Sequence, residues 1–205
     1  MPGKLNINYV LYTAFRLSPF IIVCFFALSS ILNQDLKGVI FLAGLLFACF
    51  FAILISSGLT GKAWFNGPPV ADGSDSTNAA ICNTLSLSDS GRVSSIPLGM
   101  VVFSFTFFYL VDIIAKYDLA KQNVPTLVIF PIIIIAEAVW NRQYQCATFI
   151  QLIFALGVGS LCGFGWAQII RKTGAVQLQY FNGISNTQTC SRPSKQKFKC
   201  KINTK

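Results

Sequence analysis

Residues able to do chemistry are scarce in this chain of 205 residues. Histidine is absent, which removes the commonest general base near neutral pH and the commonest metal ligand. Seven cysteines and seven acidic residues stand against sixteen lysines and arginines. Cys24, Cys49 and Cys162 fall inside long apolar runs, where a thiol behaves as a small hydrophobe. Cys82 and Cys146 lie between such runs and could bridge if they faced an oxidising compartment. Cys190 and Cys200 share the C-terminal tail and could join across a short hairpin; on a cytoplasmic side free thiols are the expectation. No spacing reads as a metal site and no cofactor is expected. There is no Walker loop, no Cys-x-x-Cys and no Gly-x-Ser-x-Gly.

One constellation has a recognisable outline. Ser95-Ile96-Pro97-Leu98-Gly99-Met100 opens an apolar run. Ala136-Glu137-Ala138-Val139-Trp140-Asn141-Arg142-Gln143-Tyr144-Gln145-Cys146-Ala147 closes another, and Lys62 precedes Pro68-Pro69. The order resembles the motifs of type 2 phosphatidic acid phosphatases, membrane lipid phosphatases related to vanadium haloperoxidases. Those motifs are a Lys followed after six residues by Arg-Pro, a Pro-Ser-Gly-His opening a span, and Ser-Arg, five residues, His, three residues, Asp. The resemblance implies a helical membrane fold with its site at one membrane face. Pro97 and Gly99 keep their places in it, but Leu98 stands for Ser and Met100 for the proton-donating His. Glu137 stands for the phosphate-binding Arg, Gln143 for the nucleophilic His, and Ala147 for the Asp that orients it. Glutamine forms no phospho-enzyme, and a carboxylate repels phosphate. Lys62, Pro97, Gly99, Met100, Glu137, Gln143 and Ala147 therefore read as a degenerate site in a non-enzymatic chain. The alternative is a membrane lipid phosphatase-like enzyme or a lipid-binding relative that keeps the pocket.

Positioning these residues falls to the apolar runs. Hydrophobic residues make up 54% of the chain and charged residues 11%, well under the roughly one quarter usual in soluble domains. That composition excludes a disordered chain and a water-coated domain. A span takes about 20 apolar residues. Five runs approach that length, at 10–32, 39–57, 98–115, 126–140 and 148–170. Ile132-Ile133-Ile134-Ile135 does not alternate as barrel strands do, so the spans are helices. The expected fold is all-α, a multi-pass transmembrane bundle of about five spans over residues 1–170, followed by a short extended basic tail over 171–205.

Residues 5–17 are expected to form an interfacial or kinked lead-in, with Pro19 opening the first span because its missing N–H falls where none is needed. Five crossings put the termini on opposite sides. Side X holds the N-terminus, a mostly irregular loop at 58–97 and the turn at 141–147. Side Y holds the turn near 33–37, the loop at 116–125 and the tail. Asp112 near the Y end and Glu137 near the X end are expected to reach the interface rather than relay protons. Gly159 and Gly163, four apart, share one helix face and are expected to pack against another span of the same chain in preference to a dimer seam.

The tail carries eight of the sixteen basic residues and no acid. With Lys37, Lys116 and Lys121 this makes Y the expected cytoplasmic side. Ala175-Val176-Gln177-Leu178-Gln179-Tyr180 and Lys195-Gln196-Lys197-Phe198-Lys199-Cys200-Lys201-Ile202 alternate like strands able to add to another protein's sheet edge. Arg171, Lys172, Arg192, Lys195, Lys197, Phe198, Lys199, Lys201 and Ile202 are the candidate partner-binding residues. Phe198, Cys200 and Ile202 between the lysines favour a protein partner over anionic lipid alone or nucleic acid. No small-molecule substrate is expected. The run Cys190-Ser191-Arg192-Pro193-Ser194-Lys195-Gln196-Lys197-Phe198-Lys199-Cys200 resembles C-terminal tails of small membrane proteins of large algal DNA viruses. That resemblance implies a virion minor capsid protein linking an internal, endoplasmic-reticulum-derived bilayer to the capsid shell, with the tail on the cytoplasmic or capsid-facing side.

Overall fold

A computed structural model describes residues 7–33, 36–59, 62, 65, 94–143, 146–174, 178–179, 188–191 and 199–202; for 7–16 and the last two segments it describes the backbone. Five α-helices occur among these residues: α1 (Ile7–Asn33), α2 (Lys37–Leu59), α3 (Leu98–Lys116), α4 (Val124–Gln143) and α5 (Phe149–Lys172). Helices α2 to α5 are each long and apolar enough to cross a membrane, and the apolar part of α1 covers Leu17–Asn33. The chain is an all-helical, multi-pass bundle of the kind an integral membrane protein requires, because in hydrocarbon only a helix satisfies its own backbone.

Pro19 does not open α1. The helix runs through it, beginning at Ile7. A proline removes one N–H from the ladder, a loss that membrane helices absorb where a neighbour covers the break. Here the Pro19 ring lies against the start of α3, with Cγ 3.5 Å from the position a Cβ on Gly99 would take.

Helix α3 is the centre of the bundle, with residues 100–106 buried on every face. It ends where Asp118 takes a left-handed turn (φ 54°) and the Leu119 N–H donates to the Ile114 carbonyl at 3.0 Å. Such a turn satisfies carbonyls that the helix leaves open. A short 3-10 turn (Ala120–Gln122) then leads into α4. Thr148 starts α5 with a reciprocal cap: its hydroxyl accepts from the Gln151 N–H, and the Gln151 side chain accepts from the Thr148 N–H at 2.9 Å.

The closest seam joins α3 to α5, and the two run parallel. Ser104, Phe105 and Asp112 on α3 meet Gly159, Gly163 and Arg171 on α5 in the same order. A Cβ on Gly163 would fall 2.6 Å from the Phe105 carbonyl oxygen, and one on Gly159 would fall 2.8 Å from that of Val101. Only glycine lets these backbones approach so closely. Ser104 Oγ donates to the Leu156 carbonyl at 2.8 Å across the same contact. The two glycines therefore pack within the chain, whereas Gly157 and Gly165 meet nothing within 4 Å.

Helix α2 closes the other flank. The Trp166 indole fills the notch at Gly44 and donates to the Ile40 carbonyl at 3.0 Å. Nearby, the Phe41 ring lies 4.0 Å from Phe26, 5.2 Å from Tyr109 and 5.5 Å from Phe105. Leu46, Phe50, Ile135 and Leu161 point outward, each more than half exposed, as lipid-facing side chains must be.

Beyond α5 the chain folds back. Leu178 packs on the core and Gln179 is buried, so this part of the alternating 175–180 segment is a docked turn and not a free strand. Hydrogen bonds from Gln179 to the buried Ala167 carbonyl and from the half-buried Tyr117 hydroxyl hold it there. In the tail, β1 (Gln188–Ser191) and β2 (Lys199–Ile202) form an antiparallel pair in which Cys190 stands opposite Cys200.

Candidate functional site

Side-chain chemistry concentrates at the two ends of the bundle. At the X end, Pro97 caps α3 in an extended conformation (φ −67°, ψ 108°), and Ile96 before it is buried. One turn into α3, Gly99 opens a gap that the end of α4 fills. Glu137 Oε1 lies 2.8 Å from the position a Gly99 Cβ would occupy. Asn141, one turn further along α4, donates to the same Oε1 at 3.0 Å and to the Glu137 main-chain carbonyl at 2.8 Å. Two regions of the motif outline, Pro97-x-Gly99 and Glu137, therefore adjoin.

The remaining motif positions do not converge on them. Met100 is turned into the core at 3% exposure, and Ala147 is buried. Gln143 and Lys62 are exposed. Among the described residues the Glu137 carboxyl meets an amide donor and no cation. A carboxyl in this position is an acceptor, the opposite of what a phosphoryl group needs. No group of three or more His, Cys, Asp or Glu able to hold a metal occurs among the described residues.

Loop anchors frame this end. Gln151 Nε2 donates to the Phe65 carbonyl at 3.0 Å, and the buried Phe65 ring stands edge-on to Phe154 at 5.7 Å. Ser95 N–H donates to Ser56 Oγ at 2.9 Å. Cys146, in the turn between α4 and α5, donates its N–H to the Asn141 carbonyl at 2.9 Å and is disulfide-bonded. Cys24, Cys49 and Cys162 are free, and Cys82 lies outside the described residues. Asn141 and Phe65 escaped the sequence reading: Asn141 is a spacer within the Ala136–Ala147 run, and Phe65 belongs to no motif. Gln151 escaped it as well, although a signal was there: Thr148-x-x-Gln151 before an apolar run is the signature of a capping box.

At the Y end, Arg171 and Asp112 form an ion pair at 2.8 Å, with side chains 28% and 14% exposed. Asp112 thus reaches a cation inside the bundle, and Arg171 is held there. Lys172 is exposed beside it. Gln179 is 1% exposed; its amide N–H donates to the Ala167 carbonyl at 3.1 Å, and its carbonyl accepts from the Tyr117 hydroxyl at 3.4 Å. Tyr117 and Gln179 carried no sequence signal. Of the other tail residues, Lys199, Cys200, Lys201 and Ile202 lie on β2 and Cys190 on β1, while Arg192, Lys195, Lys197 and Phe198 lie outside the described residues.

Comparison with protein-family models, with curated proteins and with solved structures finds no match.

Proposed function

We propose that the chain is a non-enzymatic structural membrane protein whose bundle sits in a bilayer and whose basic tail grips a protein shell. It would act as a virion minor capsid protein, joining an internal membrane to the capsid. The observation that carries this reading is the docking of Gln179. Its two hydrogen bonds fix the point where the tail leaves the Y end, so the basic residues beyond it are presented from a rigid base. A tether between membrane and shell needs such a root. The antiparallel β1–β2 pair adds an extended element of the kind that a partner sheet can lengthen.

The alternative, a lipid phosphatase-like enzyme or a lipid-binding relative, draws on Gly99 beside Glu137. It is disfavoured because a carboxyl replaces the cation and Gln143 replaces the nucleophile.

The test is a truncation that respects the root. Removing residues 180–205 keeps Leu178 and Gln179 in place, so the bundle stays closed. The account expects the truncated protein to enter membranes at normal levels while particle assembly falls at least tenfold. Shells assembling at the normal yield would overturn it.

A further inference from the structure

We infer that one outward face of α5 takes an anionic phospholipid, with its headgroup at the Y end and an acyl chain lying along the helix. The inference requires the bundle to sit in a bilayer and is independent of what the tail grips.

Gly157, Leu161, Phe164, Gln168 and Lys172 recur at intervals of three and four residues, which sets them in one stripe along α5. The stripe is turned away from the Gly159–Gly163 seam. Leu161 is 75% exposed, Gln168 and Lys172 are exposed, and a Cβ on Gly157 would meet nothing within 4 Å. Phe164 reaches back to α3, its ring 5.2 Å from that of Phe108. Val111 and Ala115 follow on the same face of α3 as Phe108. There α3, enclosed at 100–106, opens toward the Y end: Val111 is half-buried and Ala115 exposed. An acyl chain laid along the stripe therefore meets apolar surface from both helices.

Polarity along the stripe changes with depth. Glycine, leucine and phenylalanine come first, then an amide, then an ammonium group. At 1.5 Å per residue, Gln168 sits about 6 Å below Lys172 and Phe164 about 12 Å below it. The polar layer on each side of a bilayer's hydrocarbon is about 5–8 Å deep. With Lys172 among headgroup phosphates, Gln168 falls at the level of the ester carbonyls and Phe164 among the acyl chains. An amide facing hydrocarbon loses its water with nothing in return, whereas an ester oxygen accepts its N–H.

Charge selects the headgroup. Arg171 is engaged by Asp112, whereas Lys172 has no carboxylate within ion-pair distance among the described residues. Lys116 and Lys121 are exposed at the same end, and the exposed Asp118 is the one other acid described there. The balance favours a headgroup of net negative charge over a zwitterionic one. Anionic lipid is concentrated in the cytoplasmic leaflet, the side on which Y is expected. A second copy of the chain is the competing occupant of the stripe. In a two-fold pair the helices would lie parallel in the membrane and bring two Lys172 side chains together, which repulsion disfavours.

The experiment uses the full-length protein in phosphatidylcholine vesicles doped with phosphatidylserine or phosphatidylcholine carrying a diazirine on one acyl chain. After irradiation, adducts are mapped by mass spectrometry on α5 and, for reference, on the outward-facing Ile132 and Ile135 of α4. One lysine beside an anionic surface accounts for about a fivefold preference. Phosphatidylserine is therefore expected to label residues 157–168 about fivefold more than phosphatidylcholine does, relative to the reference positions. Lys172→Gln should remove most of that preference and Gln168→Leu about half of it, with the reference adducts unchanged as the sign of an intact bundle. Equal labelling by the two lipids, a preference that survives Lys172→Gln, or a stripe without adducts, as a second copy covering it would leave, would each overturn the inference. Normal assembly after removal of residues 180–205 would sink the tethering reading and leave this labelling unchanged.

Discussion

At the scale of single residues, the Asp112–Arg171 pair is the clearest electrostatic feature of the bundle. A charge among apolar helices is tolerated when it is paired or reaches water. Both conditions are met in part, since the nitrogen–oxygen distance is 2.8 Å and both side chains keep some exposure. Removing one member leaves the other uncompensated, which costs more than removing both. Asp112→Leu and Arg171→Leu are each expected to destabilise the detergent-solubilised protein by roughly 1–3 kcal/mol, discounted from the fully buried case for exposure. The double variant should lose less than the sum, as read from thermal midpoints in a double-mutant cycle. Additive losses would contradict the pairing. Sequence alone marked Asp112 as an interfacial acid and Arg171 as a tail cation. Their meeting depends on α3 and α5 lying parallel, a fact of packing that residue spacing does not encode.

Among elements, the α3–α5 seam determines the shape of the bundle. At Gly163 the opposing atom is a backbone carbonyl, so a larger residue cannot be absorbed by a rotamer change. Gly163→Leu is expected to cost about 1–3 kcal/mol or more as overpacking. Gly165→Leu, with nothing within 4 Å of the added carbon, should be close to neutral. Thermal unfolding of the two variants in the same detergent makes the comparison, and equal midpoints would remove the seam from the account. The four-residue spacing of Gly159 and Gly163 was readable in advance, as were α2 to α5, because long apolar runs with at most one charge admit few structures besides a helix. The course of α1 through Pro19 was not readable, since it depends on what packs against the ring. The docked turn at Leu178 and Gln179 was also hidden: an alternating pattern of six residues fits a strand, and the buried acceptor at Ala167 lies on another element. The β2 segment was expected to be extended, but its partner β1 carries no alternating signal of its own.

For the molecule as a whole, the two ends differ in kind. The X end is held by the Phe65 and Ser95 anchors and the Cys146 disulfide, and among the described residues its half-buried Glu137 carboxyl meets an amide and no cation. The Y end gathers exposed lysines around a rigid tail root. Between them, an apolar surface meets lipid. In the proposed reading this division serves to hold a membrane at a fixed distance from a protein shell. The most direct measurement places a photo-crosslinking amino acid at Phe198 in the full-length protein and irradiates assembled particles. A covalent adduct with a shell protein, absent from the membrane before assembly, is the predicted result. Adducts with lipid alone, or none at all, would contradict the claim that the tail holds a protein partner.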